Sequence, residues 1–253
     1  YNDISVVYVH PDNQNEIVDE TINNVRTIRV YFKQSKSKII NLLRFFKANN
    51  KALKRLPKPD IIHVHILTRL GVIAWWHKIT KGTPYIITEH WSRYLPGNDF
   101  NGFLRKRITK LVVKHASAIT TVTEILAKAM QANGLRNDRY IVAPNVVDFN
   151  KFKPIPHHND VPKIVHVSCF ENKSKNITGL IDALSILETQ NIDYQCVFVG
   201  DGMDFEMIKD YAKKLKKQEN IRFTGVLEGQ DYIEELASSD FLVLSSNYET
   251  QGV

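Results

Sequence analysis

Short apolar runs alternate with longer amphipathic segments along nearly the whole chain. The runs at 4–9, 60–66, 85–88, 118–122, 140–143, 163–170, 196–199, 221–223 and 241–244 are rich in Val, Ile, Phe and Tyr. Most are continuous rather than alternating, which is how strands buried on both faces of a parallel sheet read. Between them apolar positions recur at helical spacing. Ile39, Leu42, Leu43, Phe46 and Leu53 mark one face of a first helix. Residues 103–115 and 124–132 predict two more, the second closed by the C-terminal signal Asn133-Gly134. Segments 176–189, 205–217 and 232–237 read as helices of the second half. Strand–helix alternation predicts βαβ units and an α/β chain of doubly wound parallel sheets.

The stretch NKFKPIPHHNDVP, 150–162, breaks this pattern with three prolines and no periodicity, so it reads as a connector. It divides the chain into residues 1–150 and 163–253, with 151–162 as linker. Charge supports the division. The whole chain carries +7, but residues 1–150 carry +12 and residues 151–253 carry −5. Such asymmetry points to modules with different partners, the basic one suited to a phosphate-bearing substrate, an anionic lipid surface or nucleic acid. Residues 21–59 alone hold 11 Lys and Arg and no acid. A second cluster, Arg105, Lys106, Arg107, Lys110 and Lys114, shares its helix with Phe103, Leu104, Ile108, Leu111 and Val112. That composition suits either a solvated face or an amphipathic basic surface held on an anionic membrane. No apolar run approaches the roughly 18 residues of a membrane span. Cys169 and Cys196 are too few for a disulfide scaffold, and both lie in apolar runs, as buried thiols of a reducing compartment do.

In doubly wound sheets ligands bind beyond the carboxyl ends of the strands. Four stretches there carry chemistry. TEHWS, 88–92, puts His90 after a strand, either as a ligand contact or as a packed structural histidine. SCFENKSKN, 168–176, offers Lys173 and Lys175 before a helix N-terminus, a phosphate site or a solvated basic loop. VGDG, 199–202, is a lone Gly-x-Gly, and Phe205 stands where a dinucleotide fingerprint needs its third glycine, so a tight structural turn is the better reading. SNYETQGV, 246–253, places Glu249 and Gly252 just past a strand. His157-His158 in the connector reads as a solvated pair rather than a metal site.

Taken in order, DIIHVH (60–65), TEHWS, TTVTE (120–124), APNVVDFNKF (143–152), HVSCFENKSKNITGLIDAL (166–184), FVGDG (198–202), IRFTGV (221–226) and VLSSNYETQG (243–252) resemble the retaining glycosyltransferases of family 4. The resemblance runs from about residue 60 to the last residue. It implies the GT-B fold, two Rossmann-like domains facing a cleft. The first would be the acceptor side and the second would bind a nucleotide sugar. In this family a second Glu follows the first after seven residues. Glu249 matches the first and the second would fall at position 257, so the chain is expected to be truncated within its donor site. Family members also begin with a strand and a glycine-rich loop, whereas the first glycine here is Gly71. The N-terminus is therefore expected to be cut as well, with 3–9 as the family's second strand.

Carried over residue by residue, the resemblance implies that Lys175, helped by Lys173, neutralises the donor diphosphate. Glu249 would accept hydrogen bonds from sugar hydroxyls, and the backbone of Gln251, Gly252 and Val253 would contact sugar and phosphate. Val226 and Leu227 would meet the base through main-chain groups, and His90 would reach the reaction centre. Where the family often has a second basic residue, this chain has Cys169. No metal or other cofactor is expected. The implied activity is transfer of a hexose-type sugar from a UDP- or GDP-sugar to a saccharide or lipid-linked acceptor in bacterial surface-polysaccharide or glycolipid assembly. The expected location is cytoplasmic or peripheral on the inner face of the membrane. The rival readings are a GT-B-fold sugar-nucleotide epimerase, a non-catalytic scaffold and a basic nucleic-acid- or membrane-binding protein. No nucleic-acid-binding motif is present, and nucleic acid is not expected as a partner.

Overall fold

The apolar runs pair into three sheets, described over residues 3–98 and 100–252 of a computed structural model. The chain divides into two units, Tyr1–Pro144 and Asn145–Val253. The first unit opens with strands β1 (Ser5–Asp12), β2 (Glu16–Ile22) and β3 (Val25–Lys33), ordered β1-β3-β2. β1 lies parallel to β3, while β2 and β3 form an antiparallel hairpin. The hairpin is absent from the sequence-based expectation. Its turn is Asn23-Asn24, both with positive φ (49° and 64°), the backbone that suits the twist of a two-residue hairpin. It also alters the reading of the basic run at 21–59. Asp19 of β2 accepts two hydrogen bonds from Arg26, both at 3.0 Å, and Glu20 pairs with Arg29. Neighbouring strands thus neutralise the first arginines of that run.

Helix α1 (Lys38–Leu53) follows, started by Ser37, whose hydroxyl accepts the Ile40 amide. It packs on β1 and β3 through Phe45, Ala48 and Ala52 against Val7, Val9, Ile28, Val30 and Phe32. The expected face is therefore corrected. Ile39, Leu42 and Leu43 are exposed, because the two alanines let the other side approach the sheet closely. Then come β4 (Ile62–His65), α2 (Thr68–Lys81), β5 (Tyr85–Glu89), α3 (Phe103–His115), β6 (Ala118–Thr121), α4 (Glu124–Ala132) and β7 (Tyr140–Val142). These strands form an all-parallel sheet in sequential order β4-β5-β6-β7.

The second unit holds β8 (Lys163–Val167), the single turn α5 (Asn172–Lys175), α6 (Ile177–Thr189), β9 (Gln195–Val199), α7 (Phe205–Ala212), β10 (Ile221–Gly225), α8 (Gly229–Ala237) and β11 (Phe241–Leu242). The order β10-β9-β8-β11 is parallel throughout. Core lies on both faces. Ile177, Leu180, Ile181 and Leu184 of α6 join Cys196 and Phe198 on one. Val165, Val197 and Val199 meet Tyr232 and Leu236 of α8 on the other. The expected connector is less free than its prolines suggest, and the unit boundary falls at 144/145. His157 and Asn159 bond Asp240 at 3.2 and 3.0 Å, and Phe152 packs edge-on against Tyr232.

Candidate functional site

The strand order of the second unit creates the site. The chain winds outward from β8 through β9 to β10, then returns to lay β11 on the other side of β8. The loops leaving β8 and β11 flank this reversal, the place where open α/β sheets leave a crevice for ligands. β8 is shorter than the run 163–170 suggested. Its chain turns at Ser168 because the Phe170 amide bonds Asp201 O at 3.0 Å. Gly200 and Gly202 permit that crossing. A Cβ on Gly200 would lie 2.0 Å from Ser168 O, and one on Gly202 2.6 Å from the Phe170 amide nitrogen. The Gly-x-Gly is a structural turn that lets two loops cross backbone to backbone.

Beyond that turn, α5 and the loop after β11 are stitched together. Ser245 Oγ donates to Lys175 O (3.0 Å) and Asn176 O (3.1 Å). The Asn247 amide reaches Ser174 O at 2.8 Å, and its side chain reaches Lys173 O at 3.0 Å. Asn176 adopts the left-handed conformation (φ 50°) that breaks α5 from α6. These bonds bring together the two residues that the sequence placed apart. Lys175 Nζ donates to Glu249 Oε1, which also accepts Ser246 Oγ at 2.7 Å. Both side chains are mostly buried. Lys173 is exposed and without a carboxylate partner among the described residues. The α6 N-terminus is already partly used, since Thr178 N–H donates to Asn172 Oδ1 at 3.0 Å.

Gln251 binds through its side chain, exchanging hydrogen bonds with the Asn145 backbone at 2.8 and 3.2 Å and anchoring the loop. Gly252 is exposed, and a Cβ there would meet only Leu244, at an ordinary 3.8 Å. Val253 lies outside the described residues. Val226 is exposed after β10, whereas Leu227 packs on the Val165 cluster and fixes the segment. Beneath the site, the fully buried His166 donates from Nδ1 to Val243 O (2.9 Å) and accepts Ser168 Oγ at Nε2 (2.8 Å). Burial holds its pKa below the ordinary imidazole value. This second unit therefore has a neutral histidine bracing β8 against β11, a residue that opens the motif at 166–184 and to which the sequence assigned no role.

In the first unit His90 follows β5, half-buried. Its Nε2 lies 3.3 Å from Nδ1 of His65 at the end of β4, with the rings stacked. Such a bond needs one donor and one acceptor nitrogen, so both rings cannot be cationic. Burial, then His65, lowers the His90 pKa. His63 bonds Thr88 Oγ1 at 2.6 Å, and burial lowers its pKa too. Glu89 does the positioning. It is fully buried and accepts the amides of Leu67 (3.0 Å), His90 (3.0 Å) and Trp91 (2.9 Å). Leu67 caps α2, so the carboxyl group sits at a helix N-terminus and holds the β4 and β5 loops together. Ile66 between them has φ of 66°, a backbone that a β-branched residue rarely adopts. The only sequence trace of this clamp is an acid ending the apolar run of β5.

The sequence profile of glycosyltransferase family 4 matches residues 2–151. The chain belongs to this family. The profile of glycosyl transferases group 1 matches residues 147–253, taking in nearly all of the second unit. The two α/β units are those of GT-B glycosyltransferases. Among curated proteins, α-monoglucosyldiacylglycerol synthase of Streptococcus pneumoniae is 22% identical over 213 residues, 77% of this chain and 48% of the synthase. The chain thus spans about half of that relative. Sucrose-phosphate synthase of Thermosynechococcus elongatus superposes with a TM-score of 0.78 at 18% identity, covering 99% of this chain and 67% of that one. HepE of Anabaena, solved with UDP and glucose, gives 0.66 at 18% identity, covering 88% and 61%. No helix among the described residues is long and apolar enough to cross a membrane.

Proposed function

We propose that this family 4 chain acts in a retaining, metal-independent transfer of a hexose-type sugar from a nucleotide sugar to a saccharide or lipid-linked acceptor. The observation that carries the reading is the meeting of Lys175 and Glu249 where the strand order reverses. A cation and a carboxylate on one wall match the two halves of a sugar nucleotide. Lys175 neutralises the charge growing on the leaving diphosphate, the work a positioned cation does best in a water-poor site. Glu249, held by Ser246, accepts hydrogen bonds from sugar hydroxyls. Backbone groups of Gln251 and Gly252 approach sugar and phosphate, and those at Val226 and Leu227 meet the base. Lys173 has a secondary part at the diphosphate. His90, kept neutral near pH 7 by burial, acts toward the reacting sugar. The departing phosphate oxygen takes the acceptor's proton, so no protein base is required on the opposite face.

The UDP and glucose bound by HepE support a UDP-sugar donor, and the product named in the streptococcal synthase supports a lipid acceptor. Assembly of a surface polysaccharide or glycolipid on the cytoplasmic side of a membrane fits both. The test is a thermal-shift titration of the full-length protein with UDP-, GDP-, ADP- and dTDP-sugars. One nucleotide is expected to raise Tm, and Lys175→Ala to abolish the rise. Glu249→Ala should retain the response to the free nucleotide diphosphate and lose the extra rise from the sugar. A folded protein that responds to none of them ends the donor assignment.

A further inference from the structure

Three helices of the first unit form a continuous layer. α1 meets α2 where Arg69 lies over the Phe45 ring, 5.9 Å from its centroid. α2 meets α3 where Lys78 Nζ donates to His115 O at 2.6 Å. Together these helices carry twelve lysines and arginines and not one aspartate or glutamate. Every helix of the second unit longer than a single turn carries acids. The layer is also apolar where solvent meets it. Ile39 and Leu43 of α1 are 71% and 65% exposed, Trp76 and Ile79 of α2 56% and 59%, and Phe103 and Leu104 of α3 74% and 69%. Between α1 and α2 an open slot of about 220 Å³ is lined by Phe46, Val72, Ile73 and Trp76, with Asn50 at its rim.

We propose that this layer is a docking face for an anionic bilayer, and that the slot between α1 and α2 receives a hydrocarbon chain of the lipid. Two features select this partner. Net positive charge without compensating acids matches a negatively charged lipid surface. Of these six exposed side chains four are long aliphatics, one is an indole and one a phenyl ring, a mixture that favours the acyl boundary of a bilayer, while the lysine stems let their ammonium groups reach the headgroups. A single-stranded nucleic acid stacks its bases on planar groups and a duplex is held by cations on its phosphates, and neither gives the four exposed aliphatic side chains a partner. The proposal does not depend on the donor assignment, since none of its residues belongs to the site between β8 and β11.

The test uses the full-length protein and vesicles of phosphatidylcholine alone or mixed equally with phosphatidylglycerol. Sedimentation with the mixed vesicles is expected, weakened by raised salt, with little binding to phosphatidylcholine. The double substitution Ile39→Asp with Leu43→Asp should weaken binding about tenfold or more, while the thermal unfolding transition without any ligand stays as in the parent and reports an intact fold. Trp emission should shift to the blue and be quenched by brominated lipid, and Trp76→Phe should remove most of that response. Several results would overturn the proposal. They are unchanged sedimentation of the double variant, bound protein whose quenching survives Trp76→Phe, oligonucleotide binding without vesicle binding, and a dimer that the double variant dissolves.

Discussion

Glu89 shows how much one buried carboxyl group can organise. Its three amide donors come from both loops that present histidines, and two of them belong to residues with their own tasks, His90 and the cap of α2. Burial raises its pKa while these amides pull the other way. Glu89→Ala would leave three inward-facing N–H groups without an acceptor. At about 1–3 kcal/mol for each buried polar group left unpaired, partly relieved by relaxation, the expected loss is ~2–4 kcal/mol of unfolding free energy. Glu89→Gln keeps one carbonyl oxygen and should cost about half as much. Urea denaturation of the two variants checks the order, and equal loss in both would mean that volume rather than hydrogen bonding matters at this position.

At the scale of elements, the wall that carries Lys175 and Glu249 exists because one turn and one loop are tied to the same short segment. α5 has a single turn and β11 two residues, so neither would hold its shape alone. Ser245 and Asn247 supply the fastening, and the glycine turn after β9 lets the β8 loop fold down to meet it. Gly200 also has a φ of 124°, outside the range of side-chain-bearing residues. Gly200→Ala must therefore displace Ser168 or distort its own backbone, and is expected to cost ~3 kcal/mol or more. The signature should be local: loss of hydrogen-exchange protection at 168–176 and 198–204 and loss of nucleotide binding, with the sheet of the first unit unaffected. Uniform loss of protection in both units would contradict this.

Across the whole molecule the histidines set the response to acid. His63, His77, His90 and His166 all have pKa values lowered first by burial. Each prefers to be neutral when folded, so the unfolded chain, with an ordinary value of about 6.5, takes up protons first. Stability is complete above that pH and is lost as pH falls through the lowered folded values. Tm is expected to fall between pH 7 and pH 5, and His77→Phe, which fills a buried position without a proton acceptor, should flatten the slope. A Tm unchanged over that range in the parent would refute the burial argument. The same scale separates charge: the acid-free helical layer lies in the first unit and the carboxylate-bearing helices in the second.

The sequence by itself determined the class of fold and most of the residue types at the site. Continuous apolar runs and 3.6-residue periodicity record burial on two sheet faces, and the polar groups just past Val167 and Leu244 stand out against those runs. Tertiary structure decided what periodicity cannot carry. Which face of α1 is buried depended on two alanines fitting β3, and the β2–β3 hairpin depended on an Asn-Asn turn and on charges facing one another across strands. The partnership of Lys175 with Glu249, 74 residues apart, arose only when β11 returned to lie beside β8. Local pattern reports how each residue meets solvent. Long-range pairing alone reports which residues meet each other, and the chemistry of this site is made of such meetings.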